Sequence, residues 1–184
     1  MKTPVITFIK TLGITAAAFF LTITTTCADN TSYSKCYQTL EKYNMVGIGG
    51  NIKAAKEDMK DIRIEVYVNG VWAETKYPDA NGKFCVKMNL NEVYEIRILH
   101  PDYVEETIVA DTHISFLELQ QIQTRAFFYT VELISVKELL SLGLTSVTKE
   151  IPFVQYNSDK KCLSYHPELS QQKEIHINPF NAKK

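Results

Sequence analysis

The side chains that could carry chemistry are few, and their spacing matches no common catalytic or metal-binding pattern. The four histidines lack the short spacing of paired metal ligands, and they are His100, His113, His166 and His176. No serine stands in a Gly-x-Ser-x-Gly elbow, and no cysteine stands in a catalytic cysteine signature. We therefore expect no catalytic residue, no cofactor-binding residue and no metal ligand, in a chain that is not an enzyme.

Residues 79–82 read Asp-Ala-Asn-Gly, and carboxylate and amide oxygens before a glycine turn are how many calcium loops begin. A loop of the EF-hand type would need oxygen ligands where Tyr77 and Met88 stand. The same residues suit a hairpin turn in which the Asp79 carboxylate accepts hydrogen bonds from nearby backbone. We predict the turn, and no calcium.

Closely spaced glycines also occur in phosphate-binding loops, as they do here in residues 47–50. Such a loop needs a helix and a Lys-Ser/Thr pair immediately after it. Asn51, Ile52 and Lys53 follow instead, with the alternation of a strand. The pattern predicts a glycine-bearing strand.

The first 28 residues have the layout of a secretory signal peptide. Lys2 and Lys10 precede an uncharged apolar run over residues 11–26, which leads directly into Asp29 and polar sequence. The run is too short to span a bilayer comfortably, and no later segment could cross one. We expect an exported protein that is periplasmic or associated with the outer membrane.

Two processing routes remain open at the end of this segment. Thr26, Cys27 and Ala28 offer the small residues that a general signal peptidase reads, which would release a chain starting at Asp29. Alternatively, Cys27 is the lipidated residue of a lipoprotein, in which case the only membrane attachment is a lipid anchor.

The charge of the chain argues against nucleic acid as a partner. Removing residues 1–28 takes away two of the 20 basic residues and no acidic one, so the formal net charge falls from −1 to −3. Basic residues cluster only in pairs, such as Lys160 with Lys161, and no arginine stripe with interleaved aromatics occurs.

Three further cysteines follow the export segment, namely Cys36, Cys85 and Cys162. Their wide spacing fits neither a zinc site nor a CxxC redox pair. One disulfide among the three and three buried thiols both remain open, and spacing does not choose the pair.

Most of the remaining chain alternates polar and apolar residues in the manner of β-strands. Residues 61–68 place Ile62, Ile64, Val66 and Val68 on one buried face. Asn69-Gly70 suits a type I′ hairpin turn, because both residues tolerate positive φ. Further strands are predicted over residues 71–77, 83–88, 93–99, 105–110 and 126–135. Residues 33–43 have helical spacing, which predicts a short helix before the strands.

Several of these segments resemble the carboxypeptidase regulatory-like domain, which has a transthyretin-like β-sandwich fold. The recurring features of that family are an early glycine between hydrophobic residues, a pair of alternating strands, a D-x-[DN]-G-x-F turn and a Tyr-led strand closing with Gly-Tyr. These features lie in residues 48–52, 62–66, 79–84, 94–98 and 102–103.

The resemblance covers residues 46–111, with residues 126–135 as the last strand, and departs from the family at Asp102, where glycine is usual. Such modules are frequent in envelope proteins of Bacteroidetes-type bacteria. The resemblance implies an accessory fold without peptidase activity.

The sequence therefore predicts a mainly β protein, an antiparallel transthyretin/Ig-like β-sandwich with a short N-terminal helix and a C-terminal extension. We divide it into a signal peptide (1–28), a leader helix (29–45), the sandwich (46–135) and an extension of helix, hairpin and mobile polar tail (136–184). Four aromatic residues of the extension would form either a second small core or a partner surface, and they are Phe153, Tyr156, Tyr165 and Phe180.

Two functions remain open for this architecture. One is a noncatalytic envelope module that contacts another protein or a glycan. The other is a small-ligand carrier or an enzyme with a pocket between the sandwich and the C-terminal segment.

Overall fold

A computed structural model describes residues 34–177, with side chains from residue 38 onward. The predicted signal peptide and Cys27 lie outside this range. The described helices are α1 (Ser34–Lys42), α2 (Phe116–Gln121) and α3 (Val136–Ser141). The described strands are β1 (Val46–Lys53), β2 (Arg63–Val68), β3 (Val71–Lys76), β4 (Lys83–Met88), β5 (Val93–Leu99), β6 (Glu106–Asp111), β7 (Ala126–Glu132), β8 (Ser146–Ile151), β9 (Phe153–Asn157), β10 (Cys162–Tyr165) and β11 (Gln171–His176). The protein is mainly β, with short helices.

The strands form a six-stranded sheet in the order β10-β9-β6-β5-β2-β3, a three-stranded sheet β4-β1-β7 and a two-stranded sheet β11-β8. Most pairs are antiparallel, but β1 with β7 and β6 with β9 are parallel. The expectation of a wholly antiparallel arrangement is wrong at these two pairs. Several elements lie between the partners of each parallel pair, which is enough chain to return to the same end of a sheet.

One apolar core receives side chains from both larger sheets. Ile64 and Val66 of β2 are buried, as are Ile96 and Ile98 of β5, whereas their sequence neighbours on each strand are more exposed. The three-stranded sheet contributes Ile48, Ile52, Phe84, Val86, Met88, Phe127, Tyr129 and Val131 to the same cluster. Alternating burial on β2, β4 and β5 confirms the predicted period of two.

The predicted hairpin between β2 and β3 is confirmed by its backbone. Asn69 has φ 50° and Gly70 has φ 79°, both in the left-handed region that a type I′ turn needs. The Asn69 side-chain oxygen also accepts a hydrogen bond from the Val93 amide at 3.0 Å, which ties the turn to β5.

The turn before β4 is likewise built as predicted. One oxygen of the Asp79 carboxylate accepts hydrogen bonds from the amides of Asn81 and Lys83, each at 2.8 Å. Gly82 then takes φ 78°, which closes the turn. The carboxylate is therefore a local backbone acceptor in this loop.

Replacing Asp79 by alanine should lower the free energy of unfolding by about 1 kcal/mol, because two amides lose their acceptor in an exposed turn. Urea denaturation measures the loss. Asp79→Asn keeps an acceptor oxygen and should lose less than Asp79→Ala, whereas an equal loss in both variants would contradict this account of the turn.

Helix α2 was not predicted, although its first turn carries a sequence signature. The Ser115 hydroxyl accepts from the Glu118 amide at 3.3 Å, and the Glu118 carboxylate accepts from the Ser115 amide at 2.8 Å. This reciprocal pair is a capping box, which the spacing Ser-x-x-Glu encodes. The helix is short, so its apolar periodicity is a weak signal.

The same capping box should shift a titration. Hydrogen bonds from the side chain and then the backbone of Ser115 lower the pKa of Glu118 below its ordinary value. A carboxylate with a lowered folded pKa contributes stability above its unfolded pKa and loses it as the pH falls through the folded pKa. NMR titration should find that Ser115→Ala raises the pKa of Glu118 toward the ordinary value. An unchanged midpoint in that variant would contradict the capping box.

The C-terminal segment differs from the expectation in three ways. Strand β8 was not predicted, and residues 171–176, expected in a mobile tail, form β11 and pair antiparallel with β8. Strands β9 and β10 form the predicted hairpin, but they extend the six-stranded sheet next to β6. Tyr156 and Tyr165 accordingly pack against the main core, while Phe180 lies outside the described residues. The predicted helix α3 is present.

A second small core does exist, but other residues build it. Its buried members are Val104, Leu139, Val147 and Ile177. Beside it, Lys149 of β8 and Glu106 of β6 form an ion pair whose side chains are only 6% and 4% exposed. The β8–β11 ribbon is thus held to the main sheet by an apolar cluster and a buried charge pair.

No helix within residues 34–177 is long and apolar enough to cross a membrane.

Candidate binding face and cleft

The outer surface of the six-stranded sheet carries an ordered set of polar and aromatic side chains. Because alternate residues of β2 and β5 are buried in the core, the residues between them point to the opposite surface. Trp72 of β3 stands opposite Tyr67 in the strand register, so it lies on the same surface. We call this set the polar face, and it consists of Arg63, Glu65, Tyr67, Trp72, Glu95 and Arg97.

Hydrogen bonds, ion pairs and a cation–π contact link five members of the polar face into one network: Arg63, Glu65, Tyr67, Glu95 and Arg97. The Arg97 Nε atom donates to Glu95 Oε1 at 2.7 Å, and the Arg97 guanidinium lies 4.4 Å from the centroid of the Tyr67 ring. The Tyr67 hydroxyl donates to Glu65 Oε2 at 3.0 Å, and Arg63 Nε lies 3.3 Å from Glu65 Oε1. These contacts restrict the side chains before any ligand arrives.

The network also fixes the protonation states on the face. The hydrogen bond to Glu65, followed by burial, raises the pKa of Tyr67, so the phenol keeps its proton. The hydrogen bond to Glu95 raises the pKa of Arg97. Two arginines face two glutamates, and the formal charge of the polar face is zero.

Trp72 is the exposed aromatic side chain of the set, since 57% of its surface is accessible whereas Tyr67 is half-buried. It lies on the edge strand β3, where the register with β2 shifts between Val66 and Tyr67. Large aromatic side chains are usually buried at least in part, and aromatic residues are enriched in the centres of binding interfaces. Sequence reasoning placed this strand but did not single out Trp72; its position just after the Asn-Gly turn was the available signal.

A cleft of about 370 Å³ lies at one end of the same sheet, between β2, β5 and β11. Its lining combines apolar residues with ionisable ones, the latter being Asp61, Arg63, His100, Tyr103, Glu105 and His176. The cleft thus lies between strands that precede residue 135 and the C-terminal segment. The sequence analysis placed the pocket of a ligand carrier or an enzyme between the same two parts of the chain. Arg63 belongs both to the cleft and to the polar face.

Two cleft residues are held in defined orientations. The Asp102 amide donates to His100 Nδ1 at 3.1 Å, which leaves the proton of a neutral imidazole on Nε2. His100 Nε2 is buried and has no hydrogen-bond partner among the residues that the structure describes. The Tyr103 ring contacts His100 edge-on at 5.0 Å between centroids, and its hydroxyl donates to Asp58 at 2.8 Å.

His176 also lines the cleft, whereas His113 and His166 do not belong to its lining. His113 contacts Asp111 at 2.6 Å, and His166 contacts Glu168 at 2.8 Å, each two residues away in sequence. Within residues 34–177, no group of three or more His, Cys, Asp and Glu side chains is placed to hold a metal ion.

The structure narrows the cysteine alternatives. Cys85 of β4 is disulfide-bonded, whereas Cys162 of β10 retains a buried thiol. Cys162, predicted as a possible disulfide member, is therefore a thiol, and it lies on a different sheet from Cys85. Cys36 lies in α1, and its side chain is not among those that the structure describes.

Comparisons of the chain with known proteins found no significant match. No protein-family model matches the chain, and neither a curated protein nor a solved structure is significantly similar to it.

Proposed function

We propose that this chain is a noncatalytic accessory protein of the bacterial envelope that binds a protein or a glycan through the polar face. The observation that carries the proposal is Trp72, a 57% exposed indole opposite Tyr67 on a sheet surface whose other side chains are fixed by mutual contacts. A preorganised surface with one exposed aromatic anchor is the arrangement that concentrates binding energy.

The proposed fold is the transthyretin-like β-sandwich of the carboxypeptidase regulatory-like domain. Two sheets that share one apolar core support it, as does the Asp79 turn leading into β4. The parallel pair β1–β7 and the added strands β9 and β10 extend that arrangement beyond the segment that carries the resemblance.

Two features of the chain support export. The charged and then apolar start of the chain has the layout of a signal peptide. The disulfide at Cys85 adds to this, because disulfides persist mainly in oxidising compartments such as the periplasm. Attachment through a lipid on Cys27 and a free periplasmic form remain the two alternatives.

A binding assay with isolated envelope material tests the proposed function. The protein from Asp29 onward, labelled at its terminus, should bind the envelope fraction of a Bacteroidetes-type bacterium, and Trp72→Ala should weaken binding about tenfold, as loss of an aromatic anchor does. Phe116→Ala is the matched control, because Phe116 is 72% exposed but lies on α2. Equal loss in both variants, or no loss in Trp72→Ala, would contradict the role of the polar face.

The cleft favours a second candidate function, a carrier of small ligands or an enzyme. The buried His100 Nε2 without a partner and the cluster of ionisable side chains around it are the specific observations. An NMR screen of small carboxylates and amines should then shift the His100 ring signals, and His100→Phe should abolish the shifts. If no compound shifts the His100 ring signals, this second function is contradicted and only the proposed binding by the polar face remains.

A further inference from the structure

We propose that the ligand of the polar face is an uncharged polysaccharide, whose sugar rings stack on Trp72 and whose hydroxyl groups bind the Arg97–Glu95 pair. This inference rests on the proposed function and adds the chemical class of the ligand. It is drawn from the shape, the charge and the hydrogen-bonding groups of the face.

The exposed ring provides the apolar part of the interaction. A pyranose ring has a flat side made of C–H groups, which can lie on an aromatic ring with gains in both burial and weak C–H contacts. Trp72 is the aromatic residue of the face that is available for this, since it is 57% exposed. The neighbouring Tyr67 ring is already covered by the Arg97 guanidinium at 4.4 Å.

The polar part is a donor and an acceptor fixed side by side. Arg97 uses its Nε–H for Glu95 at 2.7 Å, and a guanidinium carries further N–H donors. Glu95 uses one oxygen in this bond, and a carboxylate can accept several. Adjacent hydroxyl groups of a sugar are each both donor and acceptor, so they complement such a pair.

The charge of the face selects against charged polymers. Arg63 and Arg97 are balanced by Glu65 and Glu95, in ion pairs of 3.3 and 2.7 Å. An anionic or cationic polymer would have to compete with these pairs, and it would gain nothing from a net charge. An uncharged ligand meets no such cost.

The edge strand also argues against an added protein strand. The register of β3 against β2 shifts at Val66 and Tyr67, and an irregular edge disrupts the regular ladder that a new strand needs. The other half of β3 carries the Glu74–Lys76 ion pair at 3.1 Å, and charged residues discourage edge-to-edge pairing. We therefore assign ligand binding to the outer surface of the sheet and not to its edge.

Affinity electrophoresis tests the inference with the exported chain from Asp29 to Lys184. The gels contain neutral polysaccharides (arabinoxylan, mannan, hydroxyethyl cellulose and laminarin) or anionic ones (alginate and heparin). We expect at least one neutral polymer to retard the protein, with retardation about tenfold weaker in Trp72→Ala and unchanged in Phe116→Ala. Retardation should also be nearly unchanged between about 0.05 and about 0.5 M salt, because an uncharged polymer has no charge whose attraction to the face salt could screen.

Arg97→Lys supplies a second readout that does not depend on the loss of an aromatic residue. Lysine keeps the positive charge but lacks the planar guanidinium group with its several N–H donors. Binding to the neutral polymer should therefore fall while the fold is retained. Retardation by the anionic polymers alone, or by no neutral polymer, would overturn the inference.

Failure of this inference can be distinguished from failure of the proposed function. The envelope material is treated with protease or with periodate, which oxidises sugars, before the labelled protein is added. If binding is weakened by Trp72→Ala and lost after protease but not after periodate, the ligand is a protein. The proposed function would then stand, and the glycan would be excluded. Envelope binding that is indifferent to Trp72→Ala would remove both.

Discussion

Replacing Lys149 by methionine is expected to lower the free energy of unfolding by about 3 kcal/mol, because it leaves the Glu106 carboxylate buried without its counter-charge. Both side chains are almost fully covered, at 6% and 4% exposure. Burial lowers the pKa of Lys149 to about 8, which indicates that the ammonium has lost much of its hydration. Urea denaturation followed by circular dichroism gives the free energy.

Two further variants distinguish an orphaned charge from a simple loss of packing. The double variant Glu106→Leu with Lys149→Met removes both charges and should recover to within about 1 kcal/mol of the parent, since apolar replacements of buried pairs are often neutral. Lys173→Met is the matched control: Lys173 is the register partner of Lys149 on β11, and its 3.4 Å contact with Glu105 is exposed. That control should cost less than about 0.5 kcal/mol. A double variant as unstable as Lys149→Met would contradict the prediction.

Gly50→Ala should also destabilise the fold strongly, by about 3 kcal/mol or more, because the strand has no room for a methyl group at this position. A Cβ atom on Gly50 would overlap the Tyr129 carbonyl oxygen of the paired strand β7 and would lie 2.7 Å from the Phe84 ring. The carbonyl belongs to the backbone of the parallel β1–β7 pair, so it cannot move without disturbing that pair.

The comparison variant for Gly50→Ala is Gly143→Ala. Nothing lies within 4 Å of a Cβ atom placed on Gly143, and only its φ of 74° opposes a side chain. Its expected cost is about 1 kcal/mol, the usual strain of a left-handed non-glycine residue. Thermal and urea denaturation should rank the two variants in this order. A loss at Gly50 no larger than the loss at Gly143 would show that β1 and β7 separate more easily than the structure indicates.

The elements read correctly from the sequence are those whose signals are local. Strands β2, β4 and β5 alternate with a period of two, and the Asn69-Gly70 and Asp79 turns contain residues that tolerate positive φ or accept backbone hydrogen bonds. Helix α2 had a readable capping box and was still missed, because six residues show too little periodicity. Strand β11 was missed since its residues are mostly polar and exposed, which resembles a tail.

The sequence by itself determined the mainly β character, the hairpins and which side of β2 and β5 is buried, because alternation and turn chemistry act over a few residues. Tertiary structure alone decided the parallel pairs, the partner of each buried charge and the contacts of the polar face. Arg97 meets Tyr67, and Glu106 meets Lys149, only after strands distant in sequence are aligned. The physical reason is that register and sheet order minimise the exposed apolar surface of the whole chain, a quantity that no single segment contains.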